Sequence, residues 1–370
     1  MLDCVYNNGQ SVTNTPDGED VIRHFSGSRF DGISSVAKQN GLRFVHPLKA
    51  AVCCITRNRP KMLSELLGSL EKLEAVPDCE TVFIIVENDG KEKCRALVEE
   101  TIPRFLPQRL TYASEAKSGI PIARNTAIDI ALDEDADVIL FIDDDESADA
   151  GWLRQMVTEY RQSGAMLVGG PVYARFPDAS LEDTVSASIR DGVEARYRRV
   201  AAKALRKLKR GRNEHITIVT NNWLADKRLF TDHGLRFDVS LRSTGGSDTK
   251  FFRAVREKAG LSTSWAPHAI VHETVPPERL TASYQFRRGM EQSKTSLRAK
   301  LETYPAWQIL PVMAVSIVLR ALSLLLLLIR YPFDSGLTLV RLLRSAGWIV
   351  GRVSGFLGSR SRLYESTTGF

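Results

Sequence analysis

Cysteine is scarce in this chain. Five occur among 370 residues (Cys4, Cys53, Cys54, Cys79 and Cys94), an odd number with no C-x-x-C spacing. That argues against a disulfide framework and fits a reduced, cytosolic setting. Cys53 and Cys54 lie in an apolar run and read as small core residues. The N-terminus lacks a basic stretch followed by an apolar one, so no signal peptide is expected. Neither zinc-finger spacing nor an RNA-binding aromatic motif occurs, which sets nucleic acid aside as a partner.

What is present is ordinary in bulk and uneven in distribution. Hydrophobic residues at 43% and charged residues at 25% suit a globular protein of one large domain plus appendages, or two domains. The net charge is +6. Much of the basic excess falls in 196–212 (RYRRVAAKALRKLKRGR) and around the C-terminal apolar stretches. Such asymmetry points to an anionic partner, either a membrane surface or a phosphate-bearing substrate.

From residue 50 to 170 strand and helix patterns alternate. Apolar runs at 50–56 (AAVCCIT), 81–86 (TVFIIV), 110–113, 138–142 and 166–169 read as strands. Pro60 opens a helix carrying Met62, Leu63, Leu66, Leu67, Leu70 and Leu73 at helical spacing. Further helices are expected at 91–100, after Lys117 to about Leu132, and around 152–161. The alternation predicts a doubly wound, mostly parallel α/β sheet. Beyond Gly170 the pattern predicts a basic helix over 181–210, strands at 216–222 and 269–274, and helices after Asp248 and over 279–300. Residues 1–48 are polar and read as an extension.

The most informative stretch is Val138 to Glu146, VILFIDDDE. An apolar strand ends in four acids, at the sheet edge where open α/β folds bind ligands. If strand geometry continued, Asp143 and Asp145 would share a face and Asp144 would turn away. Clustered carboxylates repel unless a cation sits among them, and oxygen ligands suit Mg²⁺ or Mn²⁺. A solvated acidic turn is the plainer alternative.

The C-terminus differs in kind. Residues 307–329 form a 23-residue apolar segment interrupted by Pro311 and Arg320. It is long enough to span a bilayer, although Arg320 at its middle costs about 2.5–3.5 kcal/mol on insertion scales. A weaker apolar segment over 337–357 reads as an interfacial helix or the return arm of a hairpin.

Five signals follow one another in order: Thr56-Arg57-Asn58-Arg59-Pro60, Glu87-Asn88-Asp89, Ala123-Arg124-Asn125, Asp143-Asp144-Asp145 and Gly245-Gly246-Ser247-Asp248. This ordered set resembles the family 2 glycosyltransferases with the GT-A fold, over roughly residues 49–285. The second half is similar to the succinoglycan-type exopolysaccharide enzymes, with Gly-Gly-x-Asp-Thr, a Pro-x-Ala-x-Val-His-Glu segment and a hydrophobic tail. The resemblance implies roles. Thr56, Arg57, Asn58, Glu87 or Asp89, Arg124, Asp143 and Asp144 would contact the nucleotide-sugar. Asp145, with Asp143 and His272, would hold a divalent metal, Mn²⁺ or Mg²⁺. Asp248 would be the general base of an inverting transfer. Asn221, Asn222, Trp223 and Ser247 would face the acceptor. Ser247 departs from the family's Gly-Gly-Glu-Asp, and Glu87 stands where the family usually has Asp.

The implied partners are a nucleotide-sugar donor, a saccharide or polyprenyl-diphosphate-linked acceptor, and the cytoplasmic membrane face. The implied organisation is an extension (1–48), a GT-A domain with nucleotide-sugar (49–150) and acceptor (151–285) halves, and a membrane-associated helical tail (286–370). Two other readings compete. A haloacid-dehalogenase-like phosphohydrolase would use an Asp-x-Asp strand end, but Ser147 stands where Thr or Val is expected. An inactive membrane-bound scaffold would be consistent with Ser247.

Overall fold

The computed structural model describes residues 6–7, 10–11, 47–177, 184–242, 246–257, 261–331 and 335–359. Two short paired strands, β1 (Tyr6–Asn7) and β2 (Gln10–Ser11), belong to a separate N-terminal unit. His24 and His46, in the polar extension, lie outside the described residues.

The main unit begins with β3 (Leu48–Thr56), followed by α1 (Pro60–Leu70), β4 (Cys79–Glu87), α2 (Arg95–Phe105), β5 (Arg109–Ser114), α3 (Ile120–Asp133) and β6 (Val138–Ile142). Strands β3, β4, β5 and β6 are parallel, with β6 and β4 on either side of β3. Strand order therefore reverses beside β3, and a crevice opens at the carboxyl ends of β3 and β6.

The chain continues through β7 (Glu146–Ala148), α4 (Trp152–Ser163), β8 (Leu167–Gly169), β9 (Val172–Arg175), α5 (Thr184–Leu208), β10 (Asn222–Asp226), α6 (Arg228–Thr231), α7 (Ser247–Glu257), β11 (Thr263–Trp265) and β12 (Val271–Thr274). Strand β10 runs antiparallel between β6 and β8, and β11 closes that edge parallel to β8. A second sheet, in the order β7-β12-β9, stands at the crevice. The predicted strand at 216–222 is displaced. Ile216 and Ile218 are buried, so their alternation is real, but the ladder with β6 starts only at Asn222.

The period-2 alternation of the central strands makes two cores. Val52, Cys54, Phe83, Ile85 and Leu140 face Leu63, Leu66 and Leu67 of α1 and Trp152 and Met156 of α4. Ala51, Cys53, Val82, Ile84 and Phe141 face Ala127 and Ile128 of α3 and Phe251 of α7. Cys53 and Cys54 thus lie on opposite faces, fully buried, and burial pushes both thiols up and keeps them inert.

Three helices end the described chain: α8 (Ala282–Thr303), α9 (Ala306–Arg330) and α10 (Ser335–Phe356). The expected boundary at 285/286 falls inside α8. Helix α10 packs along α8 and α5 and also meets α9. Its glycines permit that approach. A Cβ on Gly347 would lie 2.0 Å from the Phe286 carbonyl oxygen, and one on Gly351 2.2 Å from that of Met290. Helix α9 is long and apolar enough to cross a membrane, by length and composition. It is almost wholly exposed in the isolated chain.

Candidate active site

The parallel register sets the site. Cys53 pairs with Phe141, so Thr56 at the end of β3 comes level with Asp144. The Thr56 hydroxyl donates to Asp144 Oδ2 at 2.8 Å, and Arg59 donates to Asp144 Oδ1 at 2.8 Å. Asp144 is buried and ties the β3 loop to the acidic turn. It does not simply turn away, because strand geometry stops at Ile142. The triplet forms a turn in which Glu146 N donates to Asp143 O at 3.2 Å.

The other two acids of the triplet therefore diverge. Asp145 meets Arg59 at 3.6 Å and Arg279 at 3.3 Å. Asp143 keeps about a third of its side chain open (35%) and meets Arg124 at 3.4 Å. Arg124, on the second turn of α3, is buried and also holds Asp248 through its other terminal nitrogen. One guanidinium thus joins the acidic turn to the N-terminus of α7. Its Cζ lies 5.4 Å from the centroid of the Phe237 ring, and Asn125 holds Phe237 by bonds to both its N–H and its carbonyl. The start of α3 is fixed in turn by Asn88, which accepts from Gly119 N at 2.7 Å. Gly119 has φ 150°, and an added Cβ would come within 2.7 Å of Arg242.

Electrostatically the site is over-supplied with acids. Five carboxylates (Asp143, Asp144, Asp145, Glu273 and Asp248) meet three arginines, Arg59, Arg124 and Arg279, and a sixth, Glu146, accepts from Asp143 N. Lost hydration, then Asp145, Asp248 and Asp144, push Asp143 up to about 7 against the pull of Arg124. Burial and Asp143 push Glu146 well up, and burial and Asp145 raise Glu273. Burial leads in each case and the neighbouring carboxylates add to it, so a bound cation would favour the charged forms. The all-oxygen donor set around the partly open Asp143 fits a divalent ion. Among the described residues no three His, Cys, Asp or Glu side chains already stand in a metal-holding arrangement.

Several expected residues have other work here. His272, expected as a metal ligand, has its Nε2 3.1 Å from Asp149. Its neighbour Glu273 is the one that reaches the cluster, through Arg279 at 3.1 Å. Glu87 is fully buried and accepts from Lys93 N, Cys94 N and the Tyr112 hydroxyl, so its carboxylate anchors the 88–94 loop. Asp89 is less buried and accepts from Lys91 N at 2.9 Å. Arg57 is exposed, and Asn58 adopts φ 55° at the turn of the loop.

Asn222 and Trp223 are not acceptor contacts. Asn222 is wholly buried, accepting from Trp152 Nε1 and donating to Pro171 O and Ala269 O. Trp223 is 1% exposed and packs on Phe141, Phe237 and Phe251. The first residues of a central strand face the core, whatever their polarity. Asn221, one residue earlier, does reach the site and donates to Glu146 at 2.7 Å. Ser247 is buried and donates to Asp248 at 3.2 Å, so it supports that carboxylate instead of facing an acceptor. Gly245 lies outside the described residues. Arg59, Glu146, Glu273 and Arg279 complete the cluster. Of these, the Arg59 and Glu146 positions were visible beside the motifs, whereas Arg279 and Glu273 are joined to it only by the second sheet.

The family model described as Glycosyl transferase family 2 matches residues 51–229. Over 247 residues the chain is 32% identical to the succinoglycan biosynthesis protein ExoM of Rhizobium meliloti (strain 1021), covering 67% of this chain and 74% of that protein. The mannosyltransferase PcManGT from Pyrobaculum calidifontis, solved in complex with GDP-Man and Mn2+, is 17% identical with a TM-score of 0.53, over 85% of this chain and 89% of that one. S. aureus TarS 1-349, solved in complex with UDP-GlcNAc, is 16% identical with a TM-score of 0.45, over 84% and 93%. With the GT-A sheet in place and a third of its matched positions shared with ExoM, the chain belongs to glycosyltransferase family 2 and is a glycosyltransferase.

Proposed function

We propose that the enzyme transfers a sugar, with inversion, from a nucleotide-sugar, a UDP-sugar, to a hydroxyl of a saccharide acceptor carried on a membrane lipid. The setting is exopolysaccharide or cell-surface glycan synthesis at the cytoplasmic membrane face, in keeping with the likeness to ExoM. One observation carries this reading: Arg124 holds Asp248 with one terminal nitrogen and reaches Asp143 with the other. Donor-side acids and a candidate base are thereby fixed to each other.

In this mechanism the Asp248 carboxylate, about 40% exposed, takes the acceptor hydroxyl's proton as that oxygen attacks the anomeric carbon. Arg124 and Ser247 orient the carboxylate. On the donor side the Thr56–Arg59 loop and Asp89 stand at the edge of the crevice where the base and ribose would bind. Asp143 and Asp145 would hold a divalent ion, which when bound offsets charge on the departing diphosphate. Helix α9 would supply membrane association.

The test is a donor screen by release of nucleoside diphosphate, with membrane lipid extract as acceptor. One nucleotide-sugar should give release that depends on the extract and on Mn²⁺. Release of inorganic phosphate from phosphomonoesters, lost with Asp143→Asn, would instead favour the phosphohydrolase reading.

A further inference from the structure

Between α5, α9 and α10 lies a cavity of about 500 Å³, lined among others by Arg196, Arg320, Arg341, Arg344, Ser345 and Trp348. Among the described residues none of these arginines has a carboxylate partner. Burial, then Arg196 and Arg288, lower Arg344 to about 10, as expected for a guanidinium crowded by like charges. Its Nε is spent on Gln285 Oε1 at 2.7 Å. Arg320 stacks 4.3 Å over Trp348, and Arg352 4.4 Å over the same ring. Four cations around one cavity repel each other, and an anion is the missing counter-charge.

The cavity is also half apolar. Leu319 and Leu327 line it from α9, whose outer face is a row of exposed aliphatic side chains including Leu322 and Leu326. A ligand matching both halves has a phosphate head and a hydrocarbon tail. We propose that this cavity binds the phosphate group of a membrane lipid, whose chain runs along α9. The site lies behind the acid cluster: Gln285 also donates to Arg279 O, and Arg279 pairs with Asp145. The inference does not require the lipid to be the sugar acceptor, so it stands or falls separately from the transfer reaction.

The test uses the full chain in flotation with vesicles of phosphatidylcholine alone or mixed with phosphatidylglycerol. A second mixed set carries polyprenyl diphosphate. The wild type should prefer at least one of the two mixed sets, whose phosphate groups carry net negative charge, over zwitterionic phosphatidylcholine. Arg196→Gln with Arg341→Gln should lower that preference by about 5-fold per arginine, with binding to phosphatidylcholine unchanged. Arg341 is exposed, so Arg341→Gln alone is a second variant that leaves the fold intact, as a thermal melt would verify. Lys203→Gln with Arg206→Gln, on the exposed face of α5, is the control and should change the preference far less. Equal losses from both pairs would show a diffuse basic surface and overturn the proposal. So would release of the wild type by inorganic phosphate at constant ionic strength, which would mark a site for the free anion.

Discussion

Replacing Arg124 by Lys separates its two jobs. The guanidinium is 5% exposed and reaches Asp248 and Asp143 with different nitrogens, the second at 3.4 Å. A lysine ammonium is a single point charge and can serve one of these carboxylates, not both in the same geometry. The loss is then one charge-assisted hydrogen bond in a buried site, about 1.5–3 kcal/mol. That corresponds to a fall in kcat/KM of about 10- to 150-fold. If Arg124 acts by positioning Asp248, the fall lies in kcat and affinity for the nucleoside diphosphate stays within about 3-fold. Progress curves of diphosphate release and calorimetric titration of the nucleotide read the two quantities independently. A variant with kcat/KM within about 2-fold of wild type would refute the coupling of donor acids to base through this residue.

Three other outcomes follow from the same contacts. Asp145→Ala should weaken Mn²⁺-dependent nucleotide binding by at least about tenfold, and unchanged titration curves would remove Asp145 from the metal site. Trp223→Ala should cost about 3–5 kcal/mol in urea denaturation, because it opens the aromatic cluster with Phe141 and Phe251. An unchanged midpoint with only a raised acceptor KM would return Trp223 to the acceptor side. Burial raises Asp226, but the bonds from Arg228 and Tyr160 outweigh it and hold the carboxyl below its usual range. A depressed carboxyl contributes stability above its unfolded pKa, about 3.9, that is lost as pH falls through the folded value. Asp226→Asn should therefore flatten the acid limb of a stability–pH curve below about pH 4, and an unaltered limb would count against that assignment.

The motifs that ended strands were legible because parallel strands bring their carboxyl ends to one edge. Thr56, Arg124, Asp143, Asp144 and Asp145 all line that edge in the structure, and Asp248 is drawn to it by Arg124. What the one-dimensional pattern could not show was the direction of each side chain once the strand had stopped. Asp144 was expected to turn away and instead binds Thr56 and Arg59, because the turn after Ile142 abolishes the period of two. Asn222 and Trp223, at the end of the strand expected over 216–222, were placed on the acceptor side. Their burial depends on pairing with β6 and β8, a long-range fact. Arg279 and Glu273 gained their place from the second sheet, of which the 269–274 strand was expected but the two short strands that pair with it were not. The C-terminal segment over 337–357 already read as the weaker of the two, and glycine contacts seat α10 against α8 while α9 stays largely exposed.

The most direct test of the account is Asp248→Asn, with two readouts on the same preparation. The amide keeps shape and a hydrogen bond near Ser247 but cannot accept the hydroxyl proton. Nucleotide-sugar binding should stay within about 3-fold of wild type, while single-turnover transfer falls by about 10²–10⁴. Transfer at the wild-type rate would contradict the assignment of Asp248 as base, and with it the claim that Arg124 joins donor and acceptor chemistry in one site.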